Sequence, residues 1–168
     1  MGVQDHKEAA AGLENLSGAV LTISDSRTEA TDESGKLLQE LILAAGFQVG
    51  AYRLVKNEPE AVQALVSELA GQVDFMITTG GTGMSPRDLT IETLRPLFTK
   101  ELEGFGDVFR LLSFQEIGSA AILSRATGGS VGRSLVFCLP GSKAACRLAT
   151  EKLILPEVKH LIAQVRKV

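Results

Sequence analysis

The sequence predicts a single-domain α/β fold: a doubly wound, mostly parallel sheet with helices on both faces. Three observations carry that expectation. Short β-rich apolar runs alternate with helical periodicity along 168 residues, a length suited to one well-developed core. The runs Val73 to Thr78 and Leu135 to Leu139 are largely apolar rather than alternating, as strands buried on both faces are. Polar loops bearing glycine or serine follow the strands, where open α/β sheets place their ligands.

Taken in order, Ala19 to Ile23 is the first strand, ending in the polar segment SDSRTEATDES. Leu37, Leu38, Leu41 and Ile42 then recur at helical spacing, and Gly46 stops that helix. Phe47 to Val55 reads as a second strand. Asn57-Glu58-Pro59-Glu60 has the form of a capping box, with Asn57 as N-cap, and Val62, Leu65, Val66 and Leu69 supply the apolar face of the next helix. After the third strand, Thr90 to Leu97 begins a helix interrupted by Pro96. Glu103 to Gly118 is helical again, with Phe109, Leu112 and Ile117 as its apolar candidates. Residues 126–134 (ATGGSVGRS) form a glycine-bearing turn or hairpin before the strand Leu135 to Leu139. Pro140-Gly141-Ser142 then opens C-terminal helices punctuated by Pro156. Residues 1 to about 16 are polar and read as a loose arm, leaving 17–168 as the folded domain.

Composition excludes several classes. The net charge is −3 and no basic run occurs, which disfavours nucleic-acid binding. No apolar stretch nears the roughly 18 residues of a membrane span, and the N-terminus lacks the pattern of a signal peptide. The Met-Gly start has His6 where a myristoylation signal needs Ser or Thr. Cys138 and Cys146 sit in apolar patterns and read as buried thiols of a cytoplasmic protein. His6 and His160 are the only histidines, so a His-based zinc site or a Ser-His triad is not expected.

The loop Thr79-Gly80-Gly81-Thr82-Gly83 carries the chemistry. Glycine permits positive φ and lets backbone N–H groups converge on an anion, and threonine hydroxyls add donors without charge. A tight turn with no ligand is the plain alternative. No lysine follows the glycines, so the loop is not a Walker P-loop, and G-x-G-x-x-G is absent from the first strand, which disfavours a nicotinamide dehydrogenase. Asp88 either caps the helix near Thr90 or holds Mg²⁺ beside phosphates. Arg87 either clamps a phosphate or is solvated. Asp25, with Ser26 beside it, has the same ambiguity between ligand and cap, and Asp32 reads as a cap.

These segments also resemble the molybdenum cofactor biosynthesis MoaB/MogA family, most closely its MoaB branch. The matching stretches are LTISDSR with DESG at 32–35, TTGGTGMSPRDLT at 78–90, EGFGDVFRLLSFQEIGSAAILSRATGG at 103–129 and LPGSKAACRLA at 139–149. The resemblance implies a molybdopterin-binding fold assembling as a homotrimer or homohexamer. It implies adenylylation of molybdopterin, whose phosphate attacks the α-phosphate of ATP, and transfer of the product to a molybdenum-insertion protein. It places Asp25, Ser26 and Thr79 to Gly83 on the nucleotide side, Asp88 on Mg²⁺, and Ser113, Ser124, Arg125, Pro140, Gly141 and Ser142 on the pterin side. Helix packing and capping are the alternative roles of those serines and of the Pro140–Ser142 turn. Asn57 stands where active relatives of the MogA type carry an aspartate, and restoring Asp there is expected to raise turnover if a missing carboxylate limits it. Two readings follow: an adenylyltransferase relying on Asp88, or a carrier that holds molybdopterin without turnover. Phe105, Phe109 and Phe114 are either core or subunit interface.

Overall fold

Strands β1 (Ser17–Ile23), β3 (Phe75–Thr79) and β6 (Ser134–Leu139) lie side by side and in parallel at the centre of a six-stranded sheet of order β2-β1-β3-β6-β5-β4. The computed structural model describes residues 12–167. Every residue of β3 and β6 is buried, which is why those runs are apolar throughout. Edge strand β2 (Gln48–Val55) pairs parallel to β1. On the other side β5 (Thr127–Val131) and the two-residue β4 (Lys100–Glu101) pair antiparallel, making the sheet mixed at that edge.

Successive strand residues point to opposite faces, and two core clusters result. Val20, Ile77 and Phe137 face α1 (Glu33–Ala44), α4 (Glu103–Ile117), α5 (Lys143–Ala149) and α6 (Leu155–Val165). Leu21, Met76 and Val136 face α2 (Pro59–Leu69) and the short α3 (Thr90–Leu94). Both faces are therefore covered, as a doubly wound sheet requires. Burying one such side chain fully contributes about 1.5–3 kcal/mol.

The glycine-bearing segment at 126–134 is the expected hairpin, with strand β5 as its first arm pairing antiparallel to β6. Gly128 and Gly129 sit inside β5 because a Cβ would come within 2.9 Å of Phe137 on one and 2.5 Å of Phe98 on the other. Asn57 does not cap α2. The cap is Glu58, with no side-chain bond, and no capping box forms. Asn57 is instead drawn into the loops at the sheet's C-terminal edge. Pro96 falls in a 3₁₀ turn (Arg95–Leu97) that ends α3. Pro156 is accommodated in the first turn of α6, which follows α5 through a π-helical turn, Thr150–Ile154.

Phe109 is fully buried, whereas Phe105 is half-buried against Phe137, ring centroids 5.1 Å apart. Ile117, expected on the apolar face of its helix, is exposed, and so is Phe114. Leu16, placed with the arm, is buried in the core, and Leu13 packs against it; His6 lies outside the described residues. Among those residues, no helix is long and apolar enough to cross a membrane.

Candidate functional site

The three central strands end at one level, so the loops after β1, β3 and β6 meet. The Gly80 N–H donates to Leu139 O at 3.0 Å, and the Thr79 hydroxyl donates to Pro140 O at 3.0 Å. Gly80 and Gly81 take φ of +102° and +67°. A Cβ on Gly80 would strike the Ile23 carbonyl oxygen, and one on Gly81 the Thr90 hydroxyl. Glycine is thus required twice over, by conformation and by space. Two of the expected ligand donors are consumed in building the turn: the Gly80 N–H and the Thr79 hydroxyl tie loops together. The N–H groups of Gly81, Thr82 and Gly83 have no hydrogen-bond acceptor among the described residues. Three successive N–H groups left without an acceptor after a strand are the kind of donor set from which an anion-binding nest is built.

Asp88 lies beside this nest. It does not cap α3, whose cap is Leu89. One carboxylate oxygen accepts the Ser85 N–H at 3.1 Å, and the other has no donor among the described residues. Gly83 leaves that carboxylate room, since a Cβ there would lie 2.6 Å from an Asp88 oxygen. Asp25 is committed elsewhere: it accepts the Asn57 N–H at 3.1 Å and the Arg87 guanidinium at 2.7 Å. The Asn57 side-chain amide donates to Arg87 O at 2.6 Å. Asp25, Asn57 and Arg87 thus clasp three loops together, which short-range sequence patterns gave no means of seeing. Ser26 is exposed, its N–H on the Ser24 hydroxyl. Among the described residues no group of three or more His, Cys, Asp or Glu side chains is placed to hold a metal.

The residues assigned to the pterin side divide. Ser113, Ser124, Pro140 and Ser142 line one small cavity of about 110 Å³ with Glu116 and Leu148. Ser142 also caps α5 through the Ala145 N–H at 3.2 Å. Gly141 turns toward the glycine nest, where a Cβ would sit 3.5 Å from Gly80 Cα. Arg125 joins the nest as well: its guanidinium donates to Gly83 O at 2.9 Å and pairs with Glu92. Burial pushes the Glu92 carboxyl upward, but the Arg125 bond and charge outweigh it and hold it below the usual carboxylate range.

At the start of α1, Asp32 is fully buried. It caps α1 through the Gly35 N–H at 2.9 Å and accepts the hydroxyls of Thr22 at 2.6 Å and Tyr52 at 2.7 Å. Burial disfavours its charge, yet these three donors, with Arg27 nearby, hold its pKa below the ordinary value. Cys146 contacts the Thr79 hydroxyl at 3.1 Å, and burial pushes its thiol up to about 11, so it is an inert packing group. Cys138 is likewise buried and free. Ser34, Arg27 and Glu92 are the participants that sequence reasoning passed over. The run SDSR, with a cation two residues after Asp25, was the available signal for Arg27.

With this geometry the comparisons with known proteins become decisive. Residues 19–160 match the family model described as "Probable molybdopterin binding domain". Molybdenum cofactor biosynthesis protein B of Bacillus subtilis (strain 168) is 48% identical over 172 residues, covering 99% of both chains. The chain belongs to this family. Its counterpart from Staphylococcus carnosus is 48% identical over 153 residues, covering 89% of this chain and 90% of the relative. A crystal structure of a molybdenum cofactor biosynthesis protein B superposes with a TM-score of 0.86 at 48% identity, covering 90% of this chain and 96% of the other. A tungsten cofactor synthesizing protein MoaB from Pyrococcus furiosus superposes with a TM-score of 0.82 at 37% identity, covering 93% and 100%.

Proposed function

We propose that this protein acts in molybdenum cofactor biosynthesis by binding molybdopterin and transferring AMP to its phosphate from Mg-ATP. The observation that carries the proposal is the run of unpaired N–H groups at Gly81, Thr82 and Gly83, beside Asp88 and across the loop junction from the Ser113–Ser142 cavity. A phosphate monoester loses its second proton near pH 6, so the nucleophile is ready at neutral pH and no histidine base is required. Its oxygen bonds to the α-phosphorus of ATP, and the bond from that phosphorus to the bridging oxygen breaks, releasing pyrophosphate. The chain's task is positioning and charge compensation. The nest N–H groups bind the triphosphate oxygens, and Arg125 holds the nest in shape through Gly83 O. Asp88 is the side chain that would hold Mg²⁺, whose chemistry there is neutralisation of phosphate charge; one carboxylate is within that ion's habit when phosphates supply other ligands.

Purified protein given molybdopterin and Mg-ATP is expected to form adenylyl-molybdopterin with stoichiometric pyrophosphate. Molybdopterin binding with no pyrophosphate over hours would establish the second reading, a carrier. That reading is favoured by Asn57, whose amide sits on Arg87 O and brings no charge to a metal.

The same reading includes a homo-oligomer, a trimer or a pair of trimers. Leu111, Phe114 and Ile117 on α4, with Ile122 and Leu123 just after it, are apolar side chains all more than half exposed, the residues we assign to this face. Phe114→Glu is expected to shift the light-scattering mass to that of a monomer. An unchanged mass would remove this face from the interface.

A further inference from the structure

Three guanidinium groups border the junction of the strand-end loops, and they differ in how firmly they are held. Arg87 is paired with Asp25 at 2.7 Å. Arg125 is gripped by Glu92 and by Gly83 O at 2.9 Å. Arg27 lies 3.7 Å from the nearest Asp32 oxygen and 3.5 Å from Gly141 O, both at the outer limit of a useful contact. Asp32 scarcely needs it, because three donors at 2.6 to 2.9 Å already satisfy that carboxylate. A guanidinium carries five N–H donors in a planar fork, so most of Arg27's remain to be used. Its side chain is 36% exposed, and its own N–H is anchored on the Ser24 hydroxyl at 3.2 Å.

Arg27 stands where the glycine turn and the small cavity adjoin. Its contact is Gly141, in the loop whose neighbours Pro140 and Ser142 line the small cavity; the Ser34 hydroxyl donates to the same carbonyl at 3.0 Å. The lining of that cavity includes Glu116 and no basic residue. A dianionic ligand spanning that cavity and the loop junction requires a cation from outside the lining, and Arg27 lies against the carbonyl of Gly141, the residue between Pro140 and Ser142.

We propose that Arg27 is the specificity-determining cation for the pterin ligand, taking its terminal phosphate monoester in a forked contact at the junction of the three loops. This rests on the molybdopterin reading above and assigns one residue within it. A fork on a phosphate gives direction as well as charge, so Arg27 orients the nucleophilic oxygen toward the nest where the triphosphate lies.

The test begins with the unmodified chain. Its arginines are labelled with phenylglyoxal and read by peptide mass spectrometry, alone and with inorganic phosphate, molybdopterin or Mg-ATP. Inorganic phosphate and molybdopterin are each expected to slow labelling of Arg27 at least fivefold, and Mg-ATP alone to leave it unchanged. Arg27→Gln is expected to weaken molybdopterin binding tenfold or more and Arg27→Lys by less. Lys143→Gln, which removes the exposed cation near Glu33, is expected to have no effect. Unprotected Arg27, or protection by Mg-ATP only, overturns the assignment. So does an Arg27→Gln protein that binds molybdopterin as tightly as the parent, although the parent's binding then leaves the functional reading intact. If the parent binds no molybdopterin, that reading falls, whereas protection of Arg27 by inorganic phosphate still supports an anion seat there. Should Arg27→Gln fail to fold, labelling of the unmodified chain decides.

Discussion

The loops after β1 and β3 look alike as sequence: each is polar, each follows a buried strand, and each carries an aspartate just before a helix. Structurally they are opposites. Asp32 is fully buried, caps α1 and accepts three short hydrogen bonds from Gly35, Thr22 and Tyr52. Asp88 is half-buried, caps no helix and, among the described residues, accepts one backbone bond. The chemistry available to a carboxylate depends on how many donors it already serves. Asp32 is saturated and holds the loops together, whereas Asp88 has an oxygen with no donor among the described residues.

The sharpest way to break the contrast is Asp32→Ala. It leaves the Thr22 and Tyr52 hydroxyls without their acceptor and uncaps α1, and is expected to cost about 3 kcal/mol, read by urea unfolding. A loss under about 1 kcal/mol would place the network's weight elsewhere. The same network has a pH signature. The folded-state pKa of Asp32 is depressed, so its contribution is complete above the unfolded value of about 3.9 and is lost as pH falls through the lower folded value. Acid titration of the parent should therefore show a stability decline below about pH 4 that Asp32→Asn flattens.

Asp88→Ala should behave in the opposite manner. Stability is expected to change by no more than about 0.5 kcal/mol, while AMP transfer falls about 100-fold, some 2.7 kcal/mol in the barrier, with molybdopterin binding retained. Equal loss of binding and turnover would make Asp88 part of the pterin seat. The smallest effect belongs to Asn57→Asp. Without Mg²⁺ the carboxylate loses the bond to Arg87 O and faces that carbonyl, costing about 1 kcal/mol, and added Mg²⁺ is expected to restore the melting temperature. Turnover is expected to rise where the missing carboxylate limits it, against the loss of the amide's structural bond. A melting temperature insensitive to both changes would show that the clasp contributes nothing.

Much of the site was legible without coordinates because it depends on local stereochemistry. Gly80 and Gly81 had to be glycine for positive φ and close approach, and Ser142 caps its helix as its type and place suggest. Hidden were features made by residues far apart in the chain. Its neighbours Pro59 and Glu60 make Asn57 fit a capping box, yet Asp25 and Arg87, 32 and 30 positions away, claim it. The hairpin at 126–134 is legible from its glycines, but the packing that requires Gly128 and Gly129 within β5 is not, because Phe98 and Phe137, which leave room for nothing larger, come from other segments.

By itself, then, the order of residues determined the alternation of strand and helix, the two buried faces of the sheet and the glycine turn after β3. Each of these follows from periodicity or from the φ that one residue can adopt. Only the tertiary structure decided which aspartate is saturated and which is available, and which arginine is left loosely held. Those outcomes depend on distances between side chains from different loops, and such distances arise only when β1, β3 and β6 bring their ends together.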